Sequence, residues 1–124
     1  MAFCANDTAY TITNSKIDGA YAVCSFANNA TIKITGSELN GSGCGLYHNG
    51  SNCGLKLTVT DTKINGSLDG AIGNENDPSG VYISGSTATV EKGGMQSASF
   101  TNCTIKGATA IEVKYTDLKL DKCT

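Results

Sequence analysis

Apolar residues recur along this chain in short alternating runs rather than at helical spacing. In "TIKIT" (31–35) and "KLTVT" (56–60), Ile32, Ile34, Leu57 and Val59 fall on one face, with Thr and Lys on the other. That period of two is the mark of a half-buried strand. Each run opens or leads into one eight-residue phrase: "ITNSKIDG" from Ile12, "ITGSELNG" from Ile34, "VTDTKING" from Val59 and "FTNCTIKG" from Phe100. The phrase is a large apolar residue, Thr, a turn former, a small residue, a variable position, Ile or Leu, another variable position and Gly. A fifth copy, "LDKCT", begins at Leu120 and stops partway.

The second apolar position of the phrase (Ile17, Leu39, Ile64, Ile105) lies five residues after the first, across a small corner. It points inward again once the strand bends. Stacked copies then form a core ladder of Ile12, Ile34, Val59, Phe100 and Leu120 beside one of Ile17, Leu39, Ile64 and Ile105, about 4.8 Å per step. Helices are excluded, because β-branched residues and Gly recur where a helix needs straight-chain residues.

The intervals between copies are 22, 25, 41 and 20 residues. The interval of 41 reads as two turns, with a poorly matching copy near "GVYISGSTATV" (80–90). A second, looser phrase, "GAYAV" from Gly19, "GLYHN" from Gly45 and "GVYIS" from Gly80, reads as a further strand of each turn. Variable stretches such as "GSNCG", "NENDPSG" and "EKGGMQSA" read as loops. Repeats of this size predict an all-β solenoid of about five coils of 20–25 residues, one domain over 1–124, with incomplete coils at both ends.

These repeats, with "GVYISGSTATVEKGGMQSASFTNCTIKG" (80–107), resemble the right-handed parallel β-helix proteins, the pectate-lyase-like superfamily. The resemblance covers most of residues 10–124 and implies the fold. It leaves function open among lyases, hydrolases, adhesins and fibres. "SFANN" and "SFTNC" also resemble the Phe-x-x-Asn motif of polymorphic outer-membrane repeats, whose Gly-Gly-Ala partner motif is absent from this chain.

Composition narrows the function classes. The chain carries 9 Lys, no Arg and 11 acidic residues, a net charge of -2, with the Lys spread singly. A nucleic-acid groove is not expected. No apolar run is long enough to span a bilayer, and no basic-then-apolar signal opens the chain. No catalytic residues, cofactors or metal ligands are assigned, and the chain is expected not to be an enzyme. The enzymatic alternative is a polysaccharide lyase or hydrolase. Asp61 takes the turn position that Asn14, Gly36 and Asn102 hold in the other phrases, which is corner chemistry.

Asn74, Glu75, Asn76 and Asp77 before Pro78 form a weak candidate Ca²⁺ site without the spacing of a known calcium loop. Six cysteines offer candidate disulfides. Cys44 and Cys53 would close a ten-residue loop around His48, and Cys103 and Cys123 share the small position of successive phrases. His48 is the only His, too few for a zinc finger. Six Asn-x-Ser/Thr sites (Asn6, Asn29, Asn40, Asn49, Asn65, Asn102) are candidate glycosylation points. Thr-x-Thr runs at 11–13, 58–60 and 87–89 suggest an ice-binding face, which Lys33, Lys56 and Ser99 interrupt.

Neither end carries an amphipathic cap. An uncapped coil offers unpaired strands, so Phe3 and Tyr10 at one end and Leu118 and Leu120 at the other are expected to meet head to tail. The expected role is a structural, self-associating extracellular or surface unit, a filament, fibre or adhesin subunit partnered by itself. The alternative is a carbohydrate-binding or polysaccharide-cleaving module, with loops 42–54 and 69–80 meeting a glycan.

Overall fold

The computed structural model describes residues 1–49, 54–66, 79–85 and 96–124. Among them the chain forms twelve strands and no helix. One sheet holds β2 (Ala9–Thr13), β4 (Thr31–Thr35), β6 (Lys56–Thr60), β9 (Gln96–Thr101) and β12 (Thr116–Asp121), side by side in chain order. The other holds β1 (Ala2–Phe3), β3 (Lys16–Ser25), β5 (Glu38–His48), β7 (Lys63–Gly66), β8 (Ser79–Ile83), β10 (Thr104–Lys106) and β11 (Thr109–Val113). Each pairing among these strands is parallel. Parallel neighbours need a crossover, and here the other sheet supplies it: β2 leads to β3, β4 to β5, β6 to β7 and β9 to β10. The architecture is all-β with parallel strands in two sheets, compatible with a β-helix.

Register follows the repeated phrase. Ile12, Ile34, Val59, Phe100 and Leu120 are successive partners in the five-stranded sheet. Ile17, Leu39, Ile64 and Ile105 are successive partners in the other. Ile34, Val59, Phe100, Leu39 and Ile64 are wholly buried, each burial stabilising by ~1.5–3 kcal/mol. Leu120, on the last rung, is 53% exposed.

The corner between the sheets is set by one residue per phrase. Asn14, Gly36, Asp61, Asn102 and Lys122 all adopt left-handed backbone, with φ of 48°, 60°, 50°, 53° and 52°. Gly and Asn tolerate that region and most residues do not. At Gly36 a Cβ would also lie 2.5 Å from Asn14 Oδ1. The following small residue turns back on the main chain: the hydroxyls of Ser15, Ser37 and Thr62 donate to the carbonyls of Thr13, Thr35 and Thr60 at 2.8, 3.0 and 2.9 Å. A second left-handed corner, at Asp7, Asn29, Gly54 and Tyr115, precedes strands of the five-stranded sheet.

One expectation is corrected. Val59 pairs directly with Phe100, so in the five-stranded sheet the 41-residue interval is a single step of the ladder. The stretch at 79–83 is instead β8, which pairs with β5 and β11 in the other sheet. The looser phrase is also out of register at its first copy. Tyr47 pairs with Tyr82, but Cys24 and not Tyr21 lies opposite Tyr47, because the ladder shifts between Gly19 and Tyr21.

Candidate functional site

The outer face of the second half-phrase carries two polar rows. Lys16, Glu38 and Lys63 are successive partners in one, and Asp18, Asn40 and Asn65 in the other. Asn40 Nδ2 donates to Asp18 Oδ1 at 2.7 Å and to Glu38 Oε1 at 3.0 Å, and Asn65 Nδ2 donates to Asn40 Oδ1 at 2.6 Å. Lys16 Nζ lies 3.7 Å from Glu38 Oε1. Two carboxylates therefore converge on one amide beside a lysine, within about 6 Å of each other, near the spacing of paired glycosidase carboxylates. Chemistry of that kind also needs one acid held protonated. Glu38 goes the other way: the Asn40 hydrogen bond, and then Lys16, hold its carboxyl below the usual glutamate range. The rows border shallow hollows lined by Lys16, Glu38, Asp61 and Lys63 and by Asp18, Asn40 and Asn65. Such a surface offers donors and acceptors to hydroxyl-rich ligands, with Glu38 biased toward its ionised form.

Asn side chains at four of the glycosylation motifs serve the ladder. Besides Asn40 and Asn65, Asn29 Nδ2 donates to Asp7 Oδ1 at 2.8 Å and Asn102 Nδ2 to Asp61 Oδ1 at 2.6 Å. A glycan on any of these nitrogens would displace a bond between rungs. Thr13, Thr35, Thr60 and Thr101 form one row that ends on Asp121, while the neighbouring row reads Thr11, Lys33, Thr58, Ser99 and Lys119. One such row does not make a flat two-dimensional Thr lattice.

Cys44 is a buried thiol that donates to Leu46 O at 3.1 Å, and burial pushes its pKa up to about 12. His48 is also fully buried, partnered in register by Ser25 and Ile83. Four residues of extended strand separate the Cys44 and His48 backbones by about 13 Å, too far for a Cys-His pair. Cys53 and the Asn74–Asp77 group lie outside the described residues. Among the described residues, no group of three or more His, Cys, Asp or Glu could hold a metal. Cys103 and Cys123 occupy successive rungs as free thiols, and each donates to the carbonyl two residues back at 3.3 Å.

The phrases "GLYHN" and "GVYIS" held a feature that the sequence reading did not assign. Tyr47 and Tyr82 stack at 5.6 Å and 8°, with Tyr21 and Phe26 tilted against Tyr47 at 5.4 and 6.4 Å. Lys114 Nζ closes the column 5.7 Å above the Tyr82 ring, beside Glu112 at 3.5 Å. Only Tyr47 and Tyr82 lie face to face, with Tyr21 and Phe26 tilted 54° against Tyr47, so the column packs against the sheet rather than forming one flat stacking platform. The recurring Gly-x-Tyr was the available signal.

The two ends differ. Phe3 and Tyr10 stack at 4.1 Å, and the Tyr10 hydroxyl exchanges hydrogen bonds with the Ala5 main chain at 2.9 and 3.0 Å. That end is tied down, with Phe3 buried. At the other end Leu118 is only partly buried against the core, as are Ile111 and Val113, and Leu120 is exposed. Comparison with family models, curated proteins and solved structures returns no significant match. Among the described residues no helix is long and apolar enough to cross a membrane.

Proposed function

We propose that the chain is a right-handed β-solenoid unit that self-associates head to tail as a filament, fibre or adhesin subunit outside the cell or on its surface. The observation that carries the reading is that β12 is an edge strand among the described residues, paired only with β9. Leu120 belongs to the same inward row as Ile12, and Leu118 to the same row as Tyr10. A second copy set one step above β12 would place Ile12 on Leu120, continuing that apolar row, and would bring the stacked Phe3 and Tyr10 rings toward Leu118. The outward rows also suit: Lys119 would meet Thr11 and Asp121 would meet Thr13, so no like charges are opposed. Such a contact is heterologous and does not close, so it propagates. Electron microscopy and sedimentation of the purified chain over a range of concentrations test it. Particles that lengthen with concentration are expected, and short monodisperse particles at every concentration would sink the proposal.

A second reading, a glycan-binding module, has one specific observation in its favour: Asp18 and Glu38 share Asn40 beside Lys16. Titration with neutral and acidic oligosaccharides, repeated on Asn40→Ala, tests it. Binding that survives the substitution, or no binding at all, counts against this face.

A further inference from the structure

We infer that Cys103 and Cys123 are an oxidisable pair that closes a disulfide staple between the last two rungs of the five-stranded sheet. The corner residues before them, Asn102 and Lys122, share the same left-handed backbone, with φ of 53° and 52°. Both cysteines therefore leave their corners in the same direction. Main-chain bonds bracket them: Asn102 N donates to Asp121 O at 2.8 Å, and Thr124 N to Cys103 O at 2.9 Å. Cys123 thus sits one rung from Cys103, at a strand spacing of about 4.8 Å, which lies inside the Cα separation that a disulfide accepts.

The thiols also point alike. Each donates to the carbonyl two residues back, and each reaches a carbonyl of the preceding rung, Val59 O at 3.6 Å for Cys103 and Phe100 O at 3.3 Å for Cys123. Burial raises the Cys103 thiol pKa, and the neighbouring Cys123 adds to the rise. Cys123 is only half-buried and so is open to a small oxidant, whereas Cys103 lies beneath it.

With oxidised glutathione as the oxidant, Cys123 loses its proton to solvent and its Sγ attacks one glutathione sulfur, expelling one glutathione thiolate. Cys103 then loses its proton, and its Sγ attacks Cys123 Sγ and expels the second glutathione. Two electrons pass from the thiol pair to glutathione, which leaves as two reduced molecules. The bridge fastens β12, which among the described residues has a sheet neighbour on one side only, to the rung it rests on. This inference does not depend on self-association.

The test is to incubate the reduced chain with oxidised glutathione, alkylate the remaining thiols and map the cross-links. The expected result is a dominant Cys103–Cys123 link, absent when the same oxidation is done in denaturant, with amide exchange in β12 slowed at least about tenfold and restored by reductant. Cys103→Ser and Cys123→Ser should each lose that link and keep the β spectrum, since Ser15 and Ser37 hold the same position in earlier rungs. A dominant link through Cys4 or Cys24, glutathione left standing on Cys123, or unchanged exchange in β12 after oxidation would each overturn the inference. Should a serine variant fail to fold, the cross-link map and exchange of the unsubstituted chain still decide.

Discussion

Asn102 donates a 2.6 Å hydrogen bond from its side-chain amide to Asp61, although 41 residues separate them. Both residues sit at left-handed corners, with φ of 53° and 50°, so their short side chains project together from adjacent rungs. Two effects act at Asp61: a favourable bond between rungs and a backbone that most residues resist. Asp61→Ala loses the bond and keeps the strained φ, so it should destabilise by about 1–2 kcal/mol. Asp61→Gly loses the bond but relieves the strain and should cost less than half of that. Urea denaturation of the two variants separates the effects. Equal losses would show that corner conformation contributes nothing.

Lys122 occupies the corner position that Asn, Gly and Asp hold elsewhere, at φ 52°. Lysine lacks the short side chain that makes this region tolerable. Lys122→Asn or Lys122→Gly should raise stability by about 0.5–1 kcal/mol, read as a higher thermal midpoint. A lower midpoint for both would mean that the Lys122 side chain makes a compensating contact.

Much of this architecture was legible because the phrase encodes register directly. One large apolar residue per copy marks the ladder position, and one Asn, Gly or Asp marks the corner, so Ile12, Ile34, Val59 and Phe100 align on sight. Parallel pairing with a fixed corner leaves little freedom for a slip. The 41-residue interval does not count turns, because β8 within it adds a strand to the other sheet while Val59 still pairs directly with Phe100. The offset at Tyr21 was not legible either, since a bulge changes register without changing composition. The Lys16, Glu38, Asp18 and Asn40 cluster was hidden for another reason. Its members come from two phrases 22 residues apart, and their meeting depends on the stack.

Core position along the stack should set the cost of truncation. Ile64 is wholly buried between Leu39 and Ile105, whereas Ile17 is partly exposed with a ladder partner on one side. Ile64→Ala should destabilise by about 3–4 kcal/mol and Ile17→Ala by about 1–2 kcal/mol. Chemical denaturation measures both. Similar costs at the two sites would count against a stack whose burial is greatest at its middle.

Glu38 makes stability depend on pH in a stated direction. Its folded pKa is lowered, first by the Asn40 hydrogen bond and then by Lys16. The folded state therefore binds the proton less readily than the unfolded chain. The contribution is fully present above the unfolded pKa and is lost as pH falls through the lower folded value. Stability should decline as pH falls from the ordinary glutamate range through the lower folded value, and Glu38→Gln should flatten that slope while leaving other carboxylates to titrate. Because the side chain is solvent-accessible, added salt should weaken the effect. An unchanged slope in Glu38→Gln would assign the pH dependence to other groups.

Strand β12, an edge strand among the described residues, gives the sharpest prediction for assembly. Leu120 lies in the inward row of β12 and is 53% exposed, so a charge there costs the single unit little. In a head-to-tail contact the same side chain would be buried against Ile12, where an unpaired ammonium is strongly disfavoured. Leu120→Lys should thus leave thermal stability within about 0.5 kcal/mol while abolishing growth of assemblies with concentration. Lys33→Glu on a middle rung, exposed on the outward face, is the control and should assemble like the parent. Sedimentation and electron microscopy of the three proteins side by side read the outcome. Assembly by Leu120→Lys equal to the parent's would place the contact away from β12.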